Sequence, residues 1–148
     1  MVTRARASYE VSARSGGAPE TVFALLADGA GWSKWGGPMI VRSWWEREGS
    51  AEPGGVGAIR RLGLGKLSSR EEIVEYDAPR HLAYTWLTSF PVRDYRADVR
   101  LEPDGTGTRI VWSGSFRPAF PGGAVMSRVL GRTVGGFAKR LARQAERG

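Results

Sequence analysis

The segment EPGGVGAIRRLGLGKLSSREEIVEYDAPRHLAYTW, residues 52–86, decides the fold of this chain. Its β-forming stretches, separated by glycine- and proline-rich breaks, predict three strands that pair antiparallel, because the turns between them are short. Asp77-Ala78-Pro79-Arg80 is typical of a tight hairpin turn, since proline restricts φ and interrupts a strand ladder. A long amphipathic helix closes the chain. A curved sheet that ends in one long helix can hold that helix and still leave a hollow between them.

The composition is that of an ordinary globular domain and excludes several kinds of catalytic site. The chain has 148 residues, no cysteine and one histidine, His81. Thiolate nucleophiles, disulfides, Cys-based metal sites and multi-histidine metal sites are therefore excluded, and we predict neither a metal nor a cofactor. The length is typical of a single domain, residues 1–148, which buries about 70% of its unfolded surface.

The chain is basic, with 22 Lys and Arg against 15 Asp and Glu. Such a charge can favour nucleic acid, anionic lipid or acidic small molecules. The surplus is almost all arginine, which often reflects genomic base composition, so we expect no nucleic-acid partner. The first residues lack the apolar core of a signal peptide, and no run approaches the about 18 apolar residues of a membrane span. We therefore expect a cytoplasmic protein without stable membrane insertion, as a monomer or a homodimer.

Alternation and turn residues predict seven strands and three helical segments. The first helix begins at Ala18-Pro19-Glu20, where proline suits the first helical position, and ends at Asp28-Gly29. A short second helix or turn follows at Gly31–Trp35, and the final helix covers residues 124–147. The predicted strands cover residues 5–14, 40–49, 56–64, 66–76, 80–89, 94–102 and 107–117.

Five short sequences occur along the chain in a recognisable order. They are APETVF at 18–23, the pair Trp32 and Trp35, GVGAIR at 55–60, EYDAPR at 75–80 and GTRIVW at 107–112. With the order β-α-α-β-β-β-β-β-β-α, the chain resembles the START-like helix-grip superfamily, also called SRPBCC, and within it the polyketide cyclase/dehydrase and lipid-transport branch. The resemblance implies an α+β fold: a seven-stranded antiparallel sheet wraps around a long C-terminal helix, and two short helices close one end. This fold hosts carriers, sensors and enzymes alike.

Aromatic residues are the strongest indication of a binding site. Tryptophan and tyrosine combine a large apolar surface with one polar atom, which suits a pocket that holds a flat or hydrophobic ligand and orients it. A single ring often only fills a core, but a hollow fold with six tryptophans is expected to line a cavity with some of them. The predicted lining comprises Trp32, Trp35, Tyr84, Trp86, Tyr95, Val99, Trp112 and Phe116 and, on one face of the final helix, Met126, Leu130, Val134 and Phe137.

Charged residues in the middle strands are the candidates for chemistry. Glu71 shares a phase with Ile73, whereas Glu72 shares one with Val74, so the sequence leaves open which glutamate of this strand faces inward. A buried carboxylate has a raised pKa and can act as an acid or base. Arg60 and Arg61 pose the same question, and one of them could face the cavity and bind a carboxylate, phenolate or enolate oxygen. Solvated charges at the strand edge are the commoner explanation. The candidate catalytic residues are Arg60, Glu71 and Tyr84.

Three other patterns do not predict a functional site. His81, expected at the rim of the sheet, has no nucleophile motif to accompany it, so no catalytic triad is expected. The sequence Gly55-x-Gly57 lies between strands rather than before a helix, which argues against a nucleotide-binding loop. The basic face of the final helix is expected to be solvated, because it lacks the interleaved aromatic residues that single-stranded nucleic acid favours. That face comprises Arg128, Arg132, Lys139 and Arg143.

Two functions from different classes fit these features. The first is binding or carriage of a hydrophobic or aromatic small molecule, lipid- or polyketide-like, in the internal cavity. The second, implied by the resemblance, is a polyketide cyclase, aromatase or dehydrase in which Arg60 stabilises an enolate and a tyrosine or glutamate moves protons. We favour binding, because the middle strands show no dense set of inward polar residues and His81 is poorly placed for a general base. A basic surface-binding module is the weakest alternative.

Overall fold

A seven-stranded sheet and one long helix form the framework of the part of the chain that the computed structural model describes, residues 6–64, 67–87, 92–118 and 121–147. The helical segments are α1 (Pro19–Ala27), a 3-10 helix (Gly29–Lys34) and α2 (Gly123–Glu146). The strands are β1 (Ala7–Ser15), β2 (Arg42–Arg47), β3 (Ile59–Leu64), β4 (Leu67–Asp77), β5 (His81–Trp86), β6 (Val92–Asp104) and β7 (Gly107–Pro118).

The strands form one antiparallel sheet in the order β1-β7-β6-β5-β4-β3-β2. The predicted helix-grip fold is confirmed, and the predicted elements are present with different ends. β3 begins at Ile59 rather than at residue 56, because a turn closes there with Ala58 N donating to Gly55 O at 3.0 Å. β6 is longer than predicted, because it pairs with β7 from Val92 to Asp104. The predicted end of β5, residues 88–89, and the predicted start of β4, residue 66, lie outside the described residues.

A β-bulge in β4 explains why its phase was ambiguous in the sequence. The register of β4 against β5 shifts between Ile73 and Glu75, so residues before and after the bulge alternate in opposite phase. Glu71 and Ile73 are buried on the inner face, the one covered by the helices. After the bulge Tyr76 reaches the same face, where its ring contacts Phe23 of α1 edge-to-face, with 5.1 Å between centroids. Both phases therefore exist in this strand.

The helix α2 covers one side of the inner face. Its backbone packs against β1 and, less extensively, β7 and α1; among the described residues there is no comparable approach to β3, β4 or β5. Its buried residues begin at Val134, whereas Met126 and Leu130, nearer its start, are only partly buried. The 3-10 helix packs against β3 instead, and Phe23 of α1 contacts Tyr76 of β4. No described helix has the length and apolar character needed to cross a membrane.

Candidate ligand-binding site

Arg60 is fully buried on the inner face of the sheet. It lies on β3, paired with Trp45 of β2 on one side and Glu71 of β4 on the other. Its guanidinium carbon is 4.2 Å from the centroid of the Trp32 ring and 4.7 Å from that of Tyr84. Such contacts stabilise a desolvated cation by about 2 kcal/mol or more. Of the two adjacent arginines, Arg60 is thus the one that faces inward, and it places a positive charge among aromatic rings.

Glu71 is the counter-charge of this arginine. Arg60 Nε donates to Glu71 Oε1 at 2.9 Å, and Trp86 Nε1 donates to Glu71 Oε2 at 2.9 Å. A second contact holds the other side of the guanidinium: Arg60 Nη1 donates to Leu26 O at 3.2 Å, and Trp32 Nε1 donates to the same carbonyl at 2.9 Å. The ion pair therefore orients two tryptophan rings through their polar atoms. Both oxygens of Glu71 are engaged.

One donor of the buried arginine has no partner. Among the described residues, Arg60 Nη2 is a buried side-chain nitrogen that makes no hydrogen bond. Leaving a buried donor unsatisfied costs about 1–3 kcal/mol, and more when the group is charged. Such groups are uncommon in native proteins and call for an explanation. This position is favourable for an acceptor oxygen that enters the interior.

Three tyrosines surround the ion pair and are held as neutral hydroxyls. Trp112 Nε1 donates to the Tyr84 hydroxyl at 3.2 Å, and the Tyr9 and Tyr95 hydroxyls are hydrogen-bonded to each other. Burial raises the pKa of Tyr84 well above its ordinary value, and the charge of Glu71 raises it further. Burial also raises the pKa of Tyr95, with a further contribution from Tyr84. At neutral pH these hydroxyls can donate protons or hydrogen bonds but cannot act as bases.

The structure brings most of the predicted lining into contact. The Trp86 ring stacks on Tyr95 with 4.2 Å between centroids. Trp32 lies edge-on to Trp112 at 5.8 Å and to Phe137 of α2 at 6.0 Å. The remaining lining residues belong to the same core. Val99, Phe116 and Val134 are buried in it, and Met126 and Leu130 pack against it while partly exposed. The Trp35 ring contacts that of Trp32 at a tilt of 46°, with 4.6 Å between centroids. That these residues line a ligand cavity remains a prediction.

A cleft of about 590 Å³ lies where the β5–β6 hairpin meets this core. Its walls include Trp86 and Tyr95, the stacked pair of the predicted lining. Trp86 is partly exposed whereas Tyr95 is buried, so this stack is where the ring-lined interior reaches the surface. The other walls are Thr85, Leu87, Arg93, Asp94 and Arg96.

Two contributors to the site were not predicted from the sequence. Tyr9 of β1 hydrogen-bonds to Tyr95, and the alternation of Tyr9, Val11 and Ala13 with polar residues is a signal that could have placed it inward. The carbonyl of Leu26 accepts from the buried arginine. A backbone acceptor at the end of α1 has no signature in the sequence.

His81 lies on the outer face of the sheet, away from Arg60. Its Nε2 lies 2.7 Å from Asp98 Oδ2, and its Nδ1 lies 3.1 Å from Glu75 Oε2. Burial opposes ionisation of Asp98, but hydrogen bonds from Arg96 and His81 prevail and lower the pKa of Asp98. This cluster is a network of ion pairs on the outer surface.

Comparison with known proteins places these features in a family. No curated protein matches the chain. A START superfamily protein from Mycobacterium smegmatis has a TM-score of 0.80 at 14% identity, over 95% of this chain and 98% of its own. The ZhuI aromatase/cyclase from Streptomyces sp. R1128 has a TM-score of 0.76 at 19% identity, over 97% of this chain and 95% of its own. XoxI from Bacillus cereus has a TM-score of 0.74 at 20% identity, over 93% of this chain and 94% of its own.

At these identities the three structures show the shared fold alone. The sequence profile of the family described as "Polyketide cyclase / dehydrase and lipid transport" matches residues 6–146, which is nearly the whole chain. The protein is a START-like helix-grip protein that belongs to the polyketide cyclase/dehydrase and lipid transport family.

Proposed function

We propose that the protein binds a hydrophobic or aromatic small molecule, lipid- or polyketide-like, between the sheet and α2, with an acceptor oxygen of the ligand at Arg60 Nη2. The family and the fold support a hydrophobic ligand. The observation that carries the finer proposal is the unpaired guanidinium nitrogen inside a ring-lined interior. Apolar contact supplies the affinity, at about 25 cal/mol per Å² buried, and the arginine supplies orientation.

Entry is proposed where partly exposed apolar side chains border the core, along residues 126–137 of α2 and at the cleft beside Trp86. Met126, Leu130 and Phe137 pack against the core but stay partly exposed, as does Trp86 at the surface cleft. Partly exposed apolar side chains are the easiest part of a core to displace, because their movement leaves the smallest cavity. A ligand that separates Trp86 from Tyr95 would reach Arg60 along the Trp86–Glu71–Arg60 chain of hydrogen bonds.

Native mass spectrometry of gently purified protein tests the binding function directly. A co-purified hydrophobic molecule with at least one acceptor oxygen is the expected result. In parallel, the fluorescence of 1-anilinonaphthalene-8-sulfonate reports binding of a hydrophobic probe. Trp86→Leu should weaken probe binding, because it removes the ring that stacks on Tyr95 and the donor to Glu71.

Trp44→Leu is the matched control for this experiment. Trp44 lies on the outer face of β2, where Arg42 and Arg61 cover its ring, so its replacement removes the same area far from the proposed site. Probe affinity should be unchanged in this variant. Equal losses in the two variants, or the absence of both probe binding and a co-purified ligand, would refute the proposed binding function.

Enolate chemistry in the same site is the second candidate function. It is favoured by the contact of Arg60 with both Glu71 and Tyr84. Arg60 would stabilise an enolate oxygen through Nη2, and the neutral Tyr84 hydroxyl would supply a proton. Glu71 would position Arg60 instead of abstracting a proton, because both of its oxygens already accept hydrogen bonds. We favour binding because Glu71 is not free to act as the base that enolate formation requires.

Tyr84→Phe separates the two functions, because it keeps the ring against Arg60 and removes the hydroxyl. With a short poly-β-ketone thioester as substrate, an enzyme should lose turnover in this variant while still binding the hydrophobic probe. If the unmodified protein cyclises or dehydrates this substrate no faster than buffer does, the enzymatic candidate is rejected and binding stands alone.

A further inference from the structure

A second buried donor without a partner lies near the C-terminal end of α2. Trp35 is 6% exposed, and its Nε1 makes no hydrogen bond among the described residues. The same residue borders a surface cleft of about 340 Å³. The cleft lies between the 3-10 helix with its following turn and the last turns of α2, and its walls are Ser33, Lys34, Trp35, Gly37, Arg140, Arg143, Gln144 and Arg147.

This cleft is strongly cationic. Lys34, Arg140, Arg143 and Arg147 contribute four positive charges, and no acidic residue is among its described walls. Arg60 and many arginines on the outer face of the sheet are paired with carboxylates. In contrast, the side chains of these four cations have no hydrogen bond or ion pair to another described residue. Like charges gathered without a counter-charge repel one another. A bound anion would remove that repulsion.

The position of Arg140 depends on a glycine. Gly37 has φ +84°, and a Cβ at this position would lie 2.5 Å from Arg140 Nε and 2.7 Å from Arg140 Cζ. The guanidinium therefore lies against the backbone of residue 37, where a larger residue would displace it. The helix dipole favours cations in the last turn of α2. It does not account for Lys34, which lies on another element, or for Arg140, which precedes the last turn.

We propose that this cleft binds a phosphoryl oxyanion. Guanidinium groups bind phosphate oxygens through paired hydrogen bonds, and Lys34 adds charge. The Trp35 side chain forms part of the wall, and its indole N–H is buried without a partner among the described residues. The phosphoryl group can belong to a soluble phosphate ester or to a lipid headgroup. The site is distinct from the one at Arg60, because Trp32 lies between Arg60 and Trp35.

Titration with inorganic pyrophosphate at constant ionic strength, balanced with chloride, tests the site by NMR. Among the indole N–H signals, that of Trp35, assigned through its own backbone, should shift with saturation. The double variant Arg143→Gln/Arg147→Gln should bind pyrophosphate at least about tenfold more weakly, because the loss of one charged hydrogen bond lowers affinity by about that factor. Gly37→Ala should also weaken binding although it removes no charge, because it displaces Arg140.

The control is Arg128→Gln/Arg132→Gln, which removes the same charge from exposed positions on the same helix, about 16 Å or more along its axis from Arg143. It should leave pyrophosphate binding unchanged. An unshifted Trp35 signal, or equal weakening in the two double variants, overturns the proposal.

The source of the phosphoryl group is tested by co-sedimentation with phosphatidylcholine vesicles with and without phosphatidic acid. Binding that requires phosphatidic acid and is lost in Arg143→Gln/Arg147→Gln assigns the site to a lipid headgroup. Pyrophosphate binding without vesicle binding assigns it to a soluble phosphate ester. Binding to neither probe overturns the proposal and leaves the function proposed for Arg60 untouched.

Discussion

Replacing Arg60 with methionine should destabilise the protein severely. The variant leaves the Glu71 carboxylate 5% exposed and without its ion-pair partner. Removing one partner of a buried ion pair costs about 3–5 kcal/mol, a large share of the about 5–15 kcal/mol that stabilises a typical domain. Since 1 kcal/mol corresponds to about 2–4 °C in a chain of this size, we expect the Tm to fall by about 6–20 °C.

Removing both charges should recover most of this loss. In Arg60→Met/Glu71→Leu no uncompensated charge is buried, and such apolar replacements are often neutral. The recovery should be incomplete, because Trp86 Nε1 loses its acceptor at a cost of about 1–3 kcal/mol. Urea unfolding followed by far-UV circular dichroism measures the free energy of unfolding, and an unchanged m value shows that the native state is intact.

Arg61→Met is the control for the same strand. Arg61 is the next residue along β3, and it is bonded to Glu46 on the opposite, partly exposed face. Its replacement should cost much less, because exposed ion pairs contribute little. The reasoning fails if Arg60→Met costs no more than Arg61→Met, or if the losses of the two single variants at positions 60 and 71 simply add in the double variant.

Further predictions concern pH and packing. Burial raises the pKa of Tyr84 and Tyr95 above the value of about 10 that tyrosine has in an unfolded chain. Their contribution to stability is therefore complete below about pH 10 and declines above it. The tyrosinate absorbance at 295 nm should rise together with the loss of near-UV circular dichroism, and a rise in absorbance at lower pH than that loss would contradict this reasoning. Asp98→Asn should lower the urea midpoint at neutral pH, and the difference from the unmodified protein should vanish as the pH falls below about 4, because the lowered pKa of Asp98 stabilises the fold only while it is ionised. A pH-independent difference would point to packing instead. Gly114→Ala should cost about 1–3 kcal/mol in urea unfolding, because the new Cβ would collide with the Tyr9 ring; an unchanged midpoint would show that this ring can move freely.

The elements and most of the inward faces could be predicted because burial leaves a local periodic pattern. On β6 the residues Tyr95, Ala97, Val99 and Leu101 are all buried, as their alternation with charged residues indicated. The same reasoning overestimated the burial of the first half of α2. Spacing places Met126 and Leu130 on the apolar face, but it does not reveal that the neighbouring strands leave them partly exposed.

The polar centre of the site could be predicted only in part, because it depends on pairings between distant segments. Arg60 meets Glu71 through the register of β3 against β4, and the inward phase of Glu71 depends on the bulge that follows it. Tyr9 and Tyr95 are 86 residues apart in the chain. A propensity or a spacing within one segment carries no information about such partners. The candidate catalytic residues named from the sequence lie close together in the structure, but their hydrogen-bond partners could be identified only from the structure.

The closeness of Trp32 to both Trp35 and Trp112, at 4.6 and 5.8 Å between ring centroids, has an optical consequence. Indoles this near one another exchange excitation energy before they emit, so the three should emit as one coupled chromophore. A quencher at either end of the row should dim the whole set, and one emission band would register occupancy beside Arg60 as well as beside Lys34.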